Sequence, residues 1–251
     1  MSNKKTILIN RIKFFVALLF VYVVMFQFIL PVNKFLPKPS LFAESFLYIW
    51  KDYQLLIAIG YTASLIYSSL ILSYLFVFLV RGMLFRFVSE YQQIILTLRL
   101  FRYVPLFMLL ILFSYWFPAS IIAEYIFVVV LIIFHYADRI FSEVKHVKPE
   151  YVLIAKNLGV SKSEIYREVY WKEFQPGLFD VINHLQFYLW LVALVFEFVG
   201  DAHGLGVVFR NALAFNDYTA LLYFALITTL VMWCFAAILN VIKKKLIFWN
   251  K

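Results

Sequence analysis

Four stretches of this chain, Phe14–Leu30, Leu55–Val80, Tyr103–Phe117 and Tyr218–Ile242, contain no Asp, Glu, Lys or Arg. A helix needs about 20 such residues to cross the roughly 30 Å hydrocarbon core of a bilayer, where an element must satisfy its own backbone polar groups. Ser120–Tyr136 and Leu178–Val199 are apolar with isolated polar residues, which brings the expectation to about six transmembrane helices. The chain therefore reads as an all-α polytopic membrane protein, a single transmembrane domain over 1–251. Its usage agrees, at 65% apolar, 21% aromatic and 15% charged, far from a soluble domain. The third and fourth runs are short and parted only by Pro118, so a broken or re-entrant pair is an alternative to two full crossings. The first run follows Lys4, Lys5, Arg11 and Lys13, with no small-x-small site after Leu30, and is expected to be an uncleaved anchor.

Charge orients the spans, because cytoplasmic loops collect Lys and Arg. With both termini inside, all of the 23 basic residues except Lys34, Lys38, Lys51 and Arg210 fall on the inner side. The net charge of +9 is then what topology and anionic inner-leaflet lipid select, with no nucleic-acid partner implied and no preference for an anionic solute. Cys234 lies in the last apolar run without a Cys or His at ligand spacing, which suits a small hydrophobe.

Between two apolar runs stands a polar island, Arg139 to Gly177, on the inner side by this count. Pro149-Glu150 suits the first turn of a helix, and Gly159 suits its left-handed end. Ser161 with Glu164 three residues on is a capping box for a second helix, with Ile165 and Val169 on one face and Arg167 and Glu168 on another. Pro176-Gly177 reads as the stop of that second helix. The pattern is a surface helix–turn–helix held on a membrane domain, with one face available to a partner.

The stretch Leu153–Gly177, "LIAKNLGVSKSEIYREVYWKEFQPG", resembles the coupling segment of binding-protein-dependent ABC transporter permeases, with Ala155 in place of the motif's second Ala, Leu158-Gly159 its Leu-Gly pair and Pro176-Gly177 its final Pro-Gly. Leu153 stands where that family carries Glu, Ile154 where it carries the first Ala, and Trp171-Lys172 where it carries Leu-Pro. Further motifs resemble the nitrate, taurine and sulfonate branch: Leu36–Ser40 ("LPKPS"), Tyr103–Phe117, Trp190–Gly206 ("WLVALVFEFVGDAHGLG") and Leu246–Trp249.

The resemblance implies a type I importer permease with a cytoplasmic coupling helix in segment 139–177, in a bacterial inner membrane. Ala155, Lys156, Asn157, Leu158 and Gly159 would meet a cytoplasmic ATP-binding subunit, the small Ala155 and Gly159 sharing one face for close approach. The chain would be no enzyme and hold no cofactor, with ATP and Mg²⁺ bound by the ATPase. The permease would work as a homodimer or beside a second permease chain, and would receive solute from an extracytoplasmic binding protein. The loops 31–53 and 200–217 would face that receptor, the first through an interfacial helix over Leu41–Trp50.

Polar residues inside spans are candidates for a translocation path. Asn183, His184, Gln186 and Glu197 qualify in the fifth run, and Glu197 coincides with the family's Glu. Pro105 is expected to kink the third span. Each has a plainer reading, as an interhelical hydrogen bond or a packing kink. Asp180 would sit at the inner interface, His135 would hydrogen-bond at a helix end, and Glu124 would lie near the outer side if Pro118 is a turn. Two other functions stay open. A degenerate permease acting as a scaffold fits the missing Glu at Leu153. An intramembrane enzyme would need paired carboxylates, His-Glu-x-x-His metal spacing or a Gly-x-Ser-x-Gly elbow, and the sequence offers none.

Overall fold

The computed structural model describes residues 2–30, 36–91, 93, 97, 103–144, 147–200 and 203–247. Lys34, Arg99, Arg102, Lys145, Asp201, Trp249 and Lys251 lie outside the described residues, as do the side chains of Lys4, Lys5 and Arg11. Helices occur in the order α1 Ser2–Val23, α2 Pro39–Glu44, α3 Phe46–Asp52, α4 Leu55–Glu90, α5 Leu106–Trp116, α6 Ile121–Val144, α7 Pro149–Asn157, α8 Lys162–Gly200, α9 Leu205–Ala214 and α10 Tyr218–Leu246. There is no strand among the described residues.

Five helical stretches are long and apolar enough to cross a membrane: Ile12–Ile29, where α1 runs on into a π-helical turn, and α4, α6, α8 and α10. The sixth expected span is shorter than the sequence suggested. α5 has 11 residues, about 16 Å at 1.5 Å per residue, which is half a crossing. Pro118 ends it in a turn in which Ala119 takes a φ of 53° and its N–H donates to the Gly200 carbonyl at 2.9 Å. Pro105 does not kink this helix. It precedes the first turn, where its missing N–H costs nothing, and its carbonyl accepts from Met108 N at 3.0 Å.

The described chain divides into two compact units. One comprises 1–57 and 208–227. None of the window Ile12–Ile29 is buried, as suits a helix covered by lipid tails. The expected helix over Leu41–Trp50 is two short helices joined at Ser45, with Leu41, Phe46, Leu47 and Tyr48 exposed and Ile49 buried. Phe42 stacks on Tyr223 with centroids 4.0 Å apart. Tyr53 donates to Asp217 at 3.1 Å, and Asp217 caps α10 by accepting from Ala220 N.

The other unit comprises 58–207 and 228–251. Its centre is α8, which packs on α5 and α6 around Leu110, Val192 and Phe196, with Phe113, Phe127 and Leu131 against them. α4 continues past Val80 to Glu90 because nothing in the sequence breaks it, and Phe85 and Val88 there are buried. Fourteen residues of Trp171–Gly200 are buried, Trp190 and Phe196 among them.

The structure corrects the expectation that Pro176 stops the island's second helix. Lys162–Gly200 is one helix of 39 residues, in which Ile165–Tyr170 form a π-helical segment and Pro176 lies inside. Pro176 leaves the Lys172 carbonyl without its helical donor, yet Trp171, Phe174, Leu178 and Phe179 are buried on both sides of it. That packing holds the backbone helical across the break. The helix starts as the sequence predicts, since Ser161 and Glu164 make both hydrogen bonds of a capping box. Ser161→Ala should cost about 1 kcal/mol, seen by hydrogen exchange in detergent as roughly fivefold faster exchange of the Glu164 amide.

Candidate functional site

The long helix α8 has a site at each end. At the Lys162 end, α7 begins with Pro149 in its first turn and ends in a left-handed glycine: Gly159 has a φ of 76° and Val160 N donates to the Ala155 carbonyl at 3.0 Å, closing the free carbonyls of the last turn. α7 packs against the π-helical segment of α8. Ala155 is buried, with 8% exposure, whereas Leu153 (60%), Ile154 (56%) and Leu158 (76%) are exposed. Lys156, Asn157 and Gly159 are exposed as well.

Ala155 and Gly159 therefore do not share an outward face. The helix ends at Asn157, and Ala155 faces the chain itself. Its small size serves close packing of α7 within the chain, and the outward surface is the apolar set Leu153, Ile154 and Leu158.

At the Gly200 end of α8, Glu197 is fully buried and accepts two hydrogen bonds. Thr62 Oγ1 of α4 donates to its Oε1 at 2.6 Å, and the N–H of Gly206 donates to its Oε2 at 2.7 Å. Thr62 Oγ1 also accepts from Leu205 N at 2.9 Å. The Gly-Leu-Gly run is thus latched onto α8 by one carboxylate and one hydroxyl. Both glycines are required by space: a Cβ on Gly204, which has a φ of 129°, would strike the Glu197 carboxylate, and one on Gly206 would strike the Leu194 carbonyl, Glu197 Cβ and Phe198 N. Beside this latch, Tyr61 donates to Glu124 Oε2 at 3.3 Å; Glu124 is likewise fully buried. Adjacent residues of α4 thereby serve two buried carboxylates.

The other sequence candidates do not converge on one point. Gln186 is buried and donates to Asn183 Oδ1 at 3.2 Å. His184 is exposed, with Nδ1 2.7 Å from the Asp180 carbonyl, and lines a cleft of about 460 Å³ with His135, Arg139, Asp180 and Tyr188. A second, mostly apolar cleft of about 610 Å³ between α5 and α6 shares His135 and Tyr188. Pro105 is exposed at the start of α5. Asp180 pairs with Lys243 at 2.5 Å, and His135 Nδ1 lies 2.8 Å from the Leu131 carbonyl. Among the described residues no three His, Cys, Asp or Glu side chains gather as a metal site.

Sequence reasoning missed Tyr61 and Thr62, since a hydroxyl in an apolar run has no local signature and Thr62 meets its partner 135 residues away. It also missed the contacts of Arg81, whose guanidinium reaches the base of α8.

Gly206→Ala should break the latch and speed exchange of the Leu205 and Gly206 amides by ten-fold or more, of the order expected for losing buried hydrogen bonds. Gly60→Ala, in a helix with nothing within 4 Å of the new Cβ, should be neutral or stabilising by roughly 1 kcal/mol. Equal behaviour of the two variants in exchange and thermal unfolding would contradict the latch.

Residues 85–247 match the family described as binding-protein-dependent transport system inner membrane component. No curated protein and no solved structure gave a significant match. The matched stretch contains the island, the whole of α8 with Glu197 and the Gly-Leu-Gly run, whereas Thr62 lies before it.

Proposed function

Because the chain belongs to the binding-protein-dependent transport inner membrane components, a family of ABC transport permeases, we propose that it is the membrane subunit of an ATP-driven importer, moving a small solute delivered by an extracytoplasmic binding protein. One observation carries this reading: a short helix with Leu153, Ile154 and Leu158 turned outward is seated at the foot of a 39-residue helix. An apolar helix face of this kind fits a groove on a soluble partner. α7 would lie in a groove of a cytoplasmic ATPase that binds ATP and Mg²⁺, with Lys156 and Asn157 at the margin of the contact and Gly159 holding the turn. Closure of two ATPase subunits would then rock the spans between inward-open and outward-open states.

A second copy, or a related permease chain, would complete the translocation path against the α6–α8 face, where the His184 and Tyr188 clefts open. Asn183, Gln186 and Glu197 would act along α8, and Pro105 at the start of α5. The distribution of Lys and Arg supports both termini inside a bacterial cytoplasmic membrane. The motifs at Leu36–Ser40 and Trp190–Gly206 support the nitrate, taurine and sulfonate branch. Apolar Leu153 in place of the family's Glu makes the ATPase contact more hydrophobic than usual, and selects an ATPase whose groove lacks the matching polar partner.

The test is a mild-detergent pull-down of the tagged chain from its native membrane, with mass spectrometry of what accompanies it. A nucleotide-binding subunit should be recovered, and Leu153→Asp with Leu158→Asp should reduce its recovery ten-fold or more, as burying two unpaired charges implies, while amide exchange at Gly206 stays unchanged. Recovery of the wild-type chain without any ATPase would overturn the importer reading in favour of a scaffold subunit.

A further inference from the structure

The base of α8 is tied to α4 by an arginine each of whose three guanidinium nitrogens donates a hydrogen bond. Arg81 Nε donates to the Arg167 carbonyl at 3.1 Å, Nη1 to the Phe78 carbonyl at 2.7 Å and Nη2 to Glu168 Oε1 at 3.3 Å. Its guanidinium carbon lies 4.1 Å from the centroid of the Phe78 ring, and its side chain is only 15% exposed. The Arg167 carbonyl belongs to the π-helical segment Ile165–Tyr170, against which α7 packs. The two helices come close here: a Cβ on Gly82 would lie 3.4 Å from Arg167 Cβ, in van der Waals contact. Phe85 packs on Tyr170 and Phe174, and Phe78 on Trp171. Lys162 pairs with Glu90 at 3.2 Å, but at 71% and 31% exposure that pair is screened by water and holds little. Arg81, by contrast, is mostly out of water and uses the planar fork of a guanidinium on two carbonyls and a carboxylate, which no lysine can copy.

We propose that Arg81 is a positioning residue: it makes α4 move with α8 as one body when the island is driven. This deepens the importer reading and rests on it for its consequence. Displacement of α7 reaches the π-helical segment first. From there it passes along α8 through the backbone and sideways to α4 through Arg81. At the far end the same two helices meet again, with Thr62 of α4 on Glu197 of α8. Without Arg81 only aromatic packing and the exposed Lys162–Glu90 pair would tie α4 to the foot of α8, and α4 would follow the island less closely.

The experiment uses Arg81→Gln and Arg81→Lys in membranes with the full transporter, together with a reversible lock. Gly82→Cys with Arg167→Cys, in a Cys234→Ala chain, places two thiols at Cβ spacing near that of a disulfide. With Arg81 present, the lock should close readily under mild oxidant and uptake per ATP should survive it, since helices that move together lose nothing by being joined. Arg81→Gln and Arg81→Lys should keep ATPase recovery and hydrolysis but lose roughly ten-fold in uptake per ATP, of the order expected when a charged hydrogen-bond network is cut. In Arg81→Gln the lock should close roughly five-fold more slowly, and once closed should restore coupling until dithiothreitol opens it.

Wild-type coupling in Arg81→Gln, a closed lock that fails to restore it, or loss of assembly in both Arg81 variants would each overturn the proposal. If the wild-type chain proves to have no ATPase, the importer reading fails by itself. The closure rate then still decides the clamp, and an equal rate in Arg81→Gln would overturn it.

Discussion

From Lys162 to Gly200 the backbone is one helix of 39 residues, about 58 Å long at an ideal rise, so a displacement at its foot cannot stay there. The capping box that starts it lies in the polar island, and the carboxylate that latches the Gly-Leu-Gly run lies near its far end. Had Pro176 ended the helix, the island would be a flexible appendage on the fifth span. Because burial of Trp171, Phe174, Leu178 and Phe179 carries the helix through, the polar island and the Glu197 latch share one continuous helix. The π-helical segment at Ile165–Tyr170 is the local irregularity in this rod, and it sits where α7 and α4 both touch it.

The two ends are held by different physics. At the foot, ion pairs and aromatic packing join α4 to α8 in a setting partly open to water, where long exposed pairs such as Lys162 with Glu90 contribute little. At the Gly200 end the polar groups are buried, and a buried donor or acceptor left unpaired costs about 1–3 kcal/mol. The Thr62–Glu197–Gly206 latch therefore satisfies each group it uses. Glu124, beside it, is held on one oxygen by Tyr61, and its Oε1 has no hydrogen-bond partner among the described residues.

Much of this was legible in the sequence where signals are local. The charge-free runs gave the membrane class, and Pro149, Gly159 and the Ser161–Glu164 pair marked the island's helices where they lie. Glu197 stood out as a carboxylate in an apolar run beside Gly-Leu-Gly. Where tertiary packing overrides local signals, the reading failed. Pro176 looked like a stop, but neighbouring aromatics keep it helical. Ala155 and Gly159 looked like one face by spacing, but the helix ends between them and Ala155 turns inward. Between the two alternatives open for Tyr103–Tyr136, two crossings or a broken pair, the 11-residue helix Leu106–Trp116 followed by the turn at Pro118 fits the broken pair. Thr62 and Arg81 carry no signature, because their meaning lies in partners far away in the chain.

The central claim is that the island moves the outer end of the spans through a rigid α8. It is tested most directly by electron paramagnetic resonance distances between spin labels at Ser163 and Val199, within one copy and between copies, in nucleotide-free and ATP-bound states. The account predicts an unchanged distance within each copy and a changed distance between the Val199 labels of the two copies. A within-copy distance that changes with nucleotide, while the Val199 labels keep their separation, would show the rod bending below the latch and would contradict it.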